Sequence, residues 1–94
     1  MIKDIIYDFN REKHEKLILS RGISFEEVIA ALGTEKLLDV ITHPNQEKYS
    51  HQKMYVIEHN DYVYLVPFVE MDNKIFLKTA FPNRQATKHY LIKR

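Results

Sequence analysis

The stretch that decides the fold is KMYVIEHNDYVYLVPFVE, residues 53–70. Two runs rich in Val, Ile, Tyr and Phe, side chains that favour extended backbone, flank His59-Asn60-Asp61-Tyr62. Asn and Asp tolerate the left-handed conformation that a tight turn needs. The two runs, 53–59 and 62–70, therefore predict a hairpin. Pro67 has no N–H to give to a ladder and belongs at an edge or a bulge.

Reading towards the C-terminus, Asp72-Asn73 within MDNK supplies the next turn, and IFLKTAF, residues 75–81, the next strand. NRQATKHYLIK, residues 83–93, follows Pro82 as a helix capped by Asn83. Towards the N-terminus, LLDVITH (37–43) reads as a strand and PNQEKYSHQ (44–52) as a polar loop. SFEEVIAALG (24–33) places Ser24 and Glu27 in capping-box register and Phe25, Val28, Ile29 and Leu32 on one stripe, with Gly33 as the stop. REKHEKLILSR (11–21) is a second helix, capped by Asp8 or Asn10 and ended by Gly22 in the left-handed region. IKDIIYDF (2–9) suits a short first strand. The expected architecture is α+β, a single domain over residues 1–94, with an antiparallel sheet and helices packed on one of its faces.

With 45% hydrophobic and 12% aromatic residues, the 94-residue chain can bury one core. The absence of cysteine removes disulfides and thiolate metal sites from consideration and suits a reducing cytoplasm. No apolar run approaches the roughly 18–20 residues of a membrane span. The opening MIKDIIYDFN carries acids within its apolar run, so neither a signal peptide nor a membrane role is expected. Histidines 14, 43, 51, 59 and 89 make no H-x-H or H-x-x-x-H pair, and two glycines cannot build a phosphate cradle. Neither metal nor cofactor is expected.

The net charge of +1 conceals an asymmetry. Residues 1–36 hold seven acids and six bases, and residues 37–72 hold six acids and two bases. Residues 73–94 hold six bases, Lys74, Lys78, Arg84, Lys88, Lys93 and Arg94, and no acid. Such a segment is either a solvated terminal helix or a surface for a polyanion.

Metal-free RNA cleavage fits the residue types that remain. The substrate's 2′-hydroxyl is the nucleophile, so the protein need only remove its proton, stabilise the phosphorane-like charge and help the 5′-oxygen leave. Lys78 on the last strand, Arg84 at the start of the last helix, and Thr87 with Lys88 a turn later are candidates for holding that charge. The plainer reading makes Lys78 a solvent-facing strand residue and pairs Arg84 with an acid of the middle segment. Tyr55, Tyr62, Tyr64, Phe68, Phe76 and Phe81 are mostly core by spacing, with room for one of them to stack on a base.

Two patches resemble a known family. YDFNREKHEKLILSRGISFEEV resembles the N-terminal signature of BrnT-type toxins, the ribonuclease halves of bacterial toxin–antitoxin pairs, and NRQATKHY resembles their closing R-x-A-T segment. The resemblance spans nearly the whole chain. It implies a RelE-like fold, two N-terminal helices and a C-terminal helix packed on a twisted antiparallel sheet, and metal-independent endoribonuclease activity that arrests growth. Lys13 falls on the family's early lysine, Arg21 lies where a Lys-His pair is usual, and Arg84, Thr87 and Lys88 fall on the closing segment. The family's E-x-R-Y arginine is missing from HQKMY, where Lys53 or His51 is the nearest basic substitute. Lysine lacks the bidentate fork of arginine, so that change weakens the grip on phosphate.

By the same resemblance the partners are RNA, free or held on a ribosome, and an antitoxin with a ribbon-helix-helix part that alone touches operator DNA. The alternative is a non-catalytic module of the same fold that binds RNA or a partner and acts as corepressor.

Overall fold

The structure, a computed structural model, describes residues 5–43, 45, 47–48 and 52–92. In chain order the elements are β1 (Ile6–Phe9), α1 (Arg11–Arg21), α2 (Phe25–Leu32), β2 (Leu37–Thr42), β3 (Lys53–His59), β4 (Tyr62–Met71), β5 (Lys74–Leu77), β6 (Phe81–Pro82) and α3 (Arg84–Thr87), which widens into a π-helical segment at Lys88–Ile92. The protein is α+β, as the sequence predicts.

The expected hairpin forms, with Lys53 opposite Phe68 and His59 opposite Tyr62. Asn60 and Asp61 both adopt positive φ, 54° and 63°, so the turn twists with its strands. The helix signals also hold. The Asn10 side chain accepts from the Lys13 N–H at 3.0 Å, and Gly22 ends α1 at φ 69°. Ser24 and Glu27 close a reciprocal capping box at the start of α2.

Three expectations need correction. The sheet is mixed rather than antiparallel: its order is β1-β5-β4-β3-β2, and β1 runs parallel to β5, from Ile6 beside Lys74 to Phe9 beside Leu77. Strand direction depends on which distant segment comes alongside, and the pattern within one strand does not encode it. The helices also cover both faces. Leu17, Ile23, Phe25 and Val28 from α1, α2 and the turn between them pack with Tyr55, Ile57, Val66 and Phe68. On the other face Ala86, Tyr90 and Leu91 of the C-terminal helix pack on Met54, Val56, Val63 and Leu65. The sign of this was the unbroken apolar run MYVI, because a strand covered on both sides loses its polar alternation.

The third correction concerns 75–81, which is not one strand. β5 pairs Leu77 with Phe68, and β6 pairs Phe81 with Leu65. The stretch from Leu77 to Phe81 therefore holds one residue more than its partner on β4, a bulge. The extra residue switches faces: Leu77 and Ala80 lie in the core under α1 and α2, whereas Phe81 packs under α3. Pro67 lies in a central strand, but its carbonyl accepts from the Lys78 N–H at 2.8 Å, so its missing N–H faces the bulge.

Among the described residues, no helix is long and apolar enough to cross a membrane.

Candidate functional site

The bulge and α1 together shape a basic groove. Lys13 and Lys16 are three residues apart on α1 and share a face. Across from them stand Phe76 and Lys78, and with Asn10 and Glu12 these residues line a hollow of about 310 Å³. A second hollow of about 180 Å³ shares Lys13 and Lys16 and continues past Ser20 to Arg21 and Thr79. The two form one groove along α1, lined by four cations and a single carboxylate, Glu12.

Local interactions fix its walls. The Arg21 guanidinium donates to the Ala80 carbonyl at 2.7 Å, which fastens the end of α1 to the bulge. That bond takes one of its five N–H donors. The Lys78 ammonium lies 5.7 Å from the centroid of the Phe76 ring. The ion pairs formed among the described residues are Lys36–Glu58, Lys53–Glu70 and Lys74–Asp8, so they leave Lys13, Lys16, Lys78 and Arg21 without a carboxylate partner there.

The residues singled out from the sequence separate into groups. Lys78, Lys13 and Arg21 come together in the groove. Arg84 and Lys88 are exposed but lie elsewhere: the Asn83 N–H bonds to the Val63 carbonyl, while Lys78 bonds to Pro67, so the two anchor points are about 13 Å apart along β4. The helix that carries them also covers the face of the sheet opposite α1, so one phosphate cannot touch both sets. Lys88 borders a shallow apolar hollow with Gln85, His89 and Ile92.

Lys53 opens β3 and holds Glu70 at 3.5 Å. It alternates with Met54 onto the face of Tyr55, two strands from Leu77, and lines neither hollow of the groove. His51 lies outside the described residues. Thr87 is buried, 4% exposed, and has a different task from the RNA contact expected of it. Its hydroxyl donates to the Asn83 carbonyl at 2.8 Å and accepts from the Val63 N–H at 2.9 Å, tying α3 to β4.

Reading the sequence missed Lys16 and Glu12. Lys16 was discoverable, because three residues on from Lys13 in a secure helix is the same face. Glu12 carried no such signal, since first-turn acids are common wherever a helix N-terminus carries partial positive charge.

No family model matches the chain, and no curated protein matches it.

Proposed function

We propose that the chain is a metal-independent endoribonuclease toxin of the BrnT type, RelE-like in fold, acting in the cytoplasm and neutralised by a cognate antitoxin with a DNA-binding part. The observation that carries this reading is the groove where Lys13, Lys16, Arg21 and Lys78 converge around one carboxylate. Fixed cations without carboxylate partners suit the RNA backbone and the charge of a phosphorane-like transition state. Glu12 takes the proton of the 2′-hydroxyl, and an ammonium of the groove supplies one to the departing 5′-oxygen. The 2′-oxygen attacks the adjacent phosphorus, leaving a 2′,3′-cyclic phosphate and a free 5′-hydroxyl. Arg84 and Lys88 belong to the helix that covers the opposite face of the sheet and take no part in this groove.

The test is incubation of the purified chain with RNA in a chelator. Cleavage to cyclic-phosphate ends, lost in Glu12→Gln and at a 2′-deoxy position, is the expected result. Intact RNA in the presence of folded protein rejects the enzyme. That outcome favours a non-catalytic module that binds RNA or a partner and acts as corepressor. One observation already leans that way: Lys53 and Thr87, two members of the expected site, are engaged within the fold.

A further inference from the structure

Phe76 is an aromatic residue that the core does not account for. It sits in β5 between Ile75 and Leu77, which are 7% and 0% exposed, yet it is itself only half-buried and belongs to neither core cluster. Its ring lines the larger hollow together with Lys13, Lys16 and Lys78. The other aromatics that the sequence offered for base stacking lie elsewhere in the fold. Tyr55 and Phe68 stack on each other at 4.0 Å inside the core, and Tyr64 and Phe81 pack against the two clusters. Tyr62 stands at the hairpin turn, 6.4 Å from Tyr64.

We infer that Phe76 is a stacking platform for one unpaired nucleobase, so that the ligand of this groove is single-stranded RNA. The inference rests on reading the groove as an RNA site and adds which form of RNA it takes. A ring with lysines around it is the arrangement by which single strands are held: the cations follow the phosphates and the ring takes a base. The Lys78 ammonium, near the ring in the free protein, moves to a phosphate when the base arrives, which leaves neither the ring nor the charge without a partner. A duplex cannot use the platform, because its bases are stacked inside and present only their edges. The hollow, about 310 Å³, is at the lower end of the roughly 300–1,000 Å³ occupied by small ligands and suits one nucleoside.

The experiment measures binding of the full chain to a labelled oligouridine, to the same strand paired with oligoadenosine, and to inorganic polyphosphate. Phe76→Leu, which keeps an apolar side chain in β5, is expected to weaken oligouridine binding roughly 5- to 150-fold and leave polyphosphate binding unchanged. The chain has no tryptophan, so Phe76→Trp adds a single fluorescent reporter. Its emission should be quenched by oligouridine and not by polyphosphate. Parental affinity for oligouridine in Phe76→Leu, unquenched emission from Phe76→Trp, or equal binding of the duplex overturns the stacking inference. The reading of the groove itself fails separately, if the parent binds neither oligouridine nor polyphosphate, or if Lys78→Ala changes neither.

Discussion

The Tyr90 hydroxyl donates to Asp39 Oδ2 at 2.7 Å and so ties the π-helical end of the chain to β2. That bond, helped by the Val40 N–H on the other carboxylate oxygen and by nearby His89, holds the Asp39 carboxyl below its usual 3.8. The same bond raises the Tyr90 phenol above its usual 10.0, with burial and the Asp39 charge adding to it. A lowered carboxyl stabilises the fold above its unfolded value and loses that contribution as pH falls through the folded one. A raised phenol stabilises the fold below its unfolded value and loses that contribution as pH rises through the folded one. The contact therefore stands throughout the neutral range and opens at both extremes. Protection of the amides at residues 88–92, measured relative to their intrinsic exchange rates, should fall below about pH 4 and above about pH 10. Tyr90→Phe should remove both limbs; limbs that persist in that variant would assign them to other groups.

The Thr87 hydroxyl is the acceptor for a buried N–H, that of Val63. Thr87→Val keeps the shape and removes the acceptor, so it should destabilise the protein by about 1–3 kcal/mol. Thr87→Ser keeps the hydroxyl and loses a methyl, at about 1 kcal/mol. Urea unfolding measures both. Exchange at the Val63 amide separates the causes, because only the valine variant should lose protection there. Equal protection in the two variants would remove the hydrogen bond from the explanation.

What the sequence disclosed and what it withheld follow one physical division. Signals that act within a few residues were legible: Asn10, Ser24 and Asn83 cap helices as expected, and Asn60-Asp61 make the expected turn. Features that depend on distant segments were not. The parallel pairing of β1 with β5, the bulge after Leu77 and the burial of Thr87 arise only when β4 lies alongside residues 74–83. The candidate site divides in the same way. Lys78 and Arg84 are close in sequence and were expected to act on one phosphate, but the chain between them runs along β4 and separates them. Lys16 is distant in sequence from Lys78, and only the fold brings the two together.

The two glycines should respond to alanine with opposite signs. Gly22 has φ 69°, where a Cβ is strained even though nothing lies within 4 Å of its position. Gly22→Ala should lower stability by about 1–2 kcal/mol. Gly33 has φ −93°, ordinary for any residue, and its added Cβ would lie 4.0 Å from the Ala30 carbonyl oxygen. Gly33→Ala should raise stability by about 0.4–1 kcal/mol, through lower entropy of the unfolded chain. Thermal unfolding checks both, and a stabilised Gly22→Ala would contradict the left-handed turn that sets the angle between α1 and α2.

The Tyr55 phenol should ionise late. Burial, the neighbouring Tyr7 and Glu70, and a hydrogen bond with Tyr7 together push it up to about 12. Its neutral form supports the fold below the ordinary phenol value of 10.0, and that support is lost as pH climbs through about 12. An alkaline absorbance titration should show a component ionising at about 12, in addition to the raised Tyr90, and Tyr55→Phe should abolish that component. Coincident ionisation of all six below that range would mean that the core around Phe68 is open to water.

Removing charges one at a time tests where RNA lies. Lys13, Lys16 and Lys78 lack carboxylate partners among the described residues, so each phosphate contact they make should add about 0.7 to the slope of log affinity against log salt for a single strand. Alanine at each should weaken binding and flatten that slope by about this amount. Lys53 serves as a matched control, exposed to a similar degree as Glu70 and held by it at 3.5 Å. Lys53→Ala should leave the slope unchanged and cost at most about 1 kcal/mol of stability. Arg84→Ala tests the reach of the surface. Arg84, on the helix that covers the opposite face of the sheet, should leave the binding of an oligonucleotide confined to the groove unchanged when it is replaced. A slope that falls for Lys53→Ala but not for Lys78→Ala would place the RNA beside Lys53 and Glu70 instead and remove the groove along α1 from the mechanism.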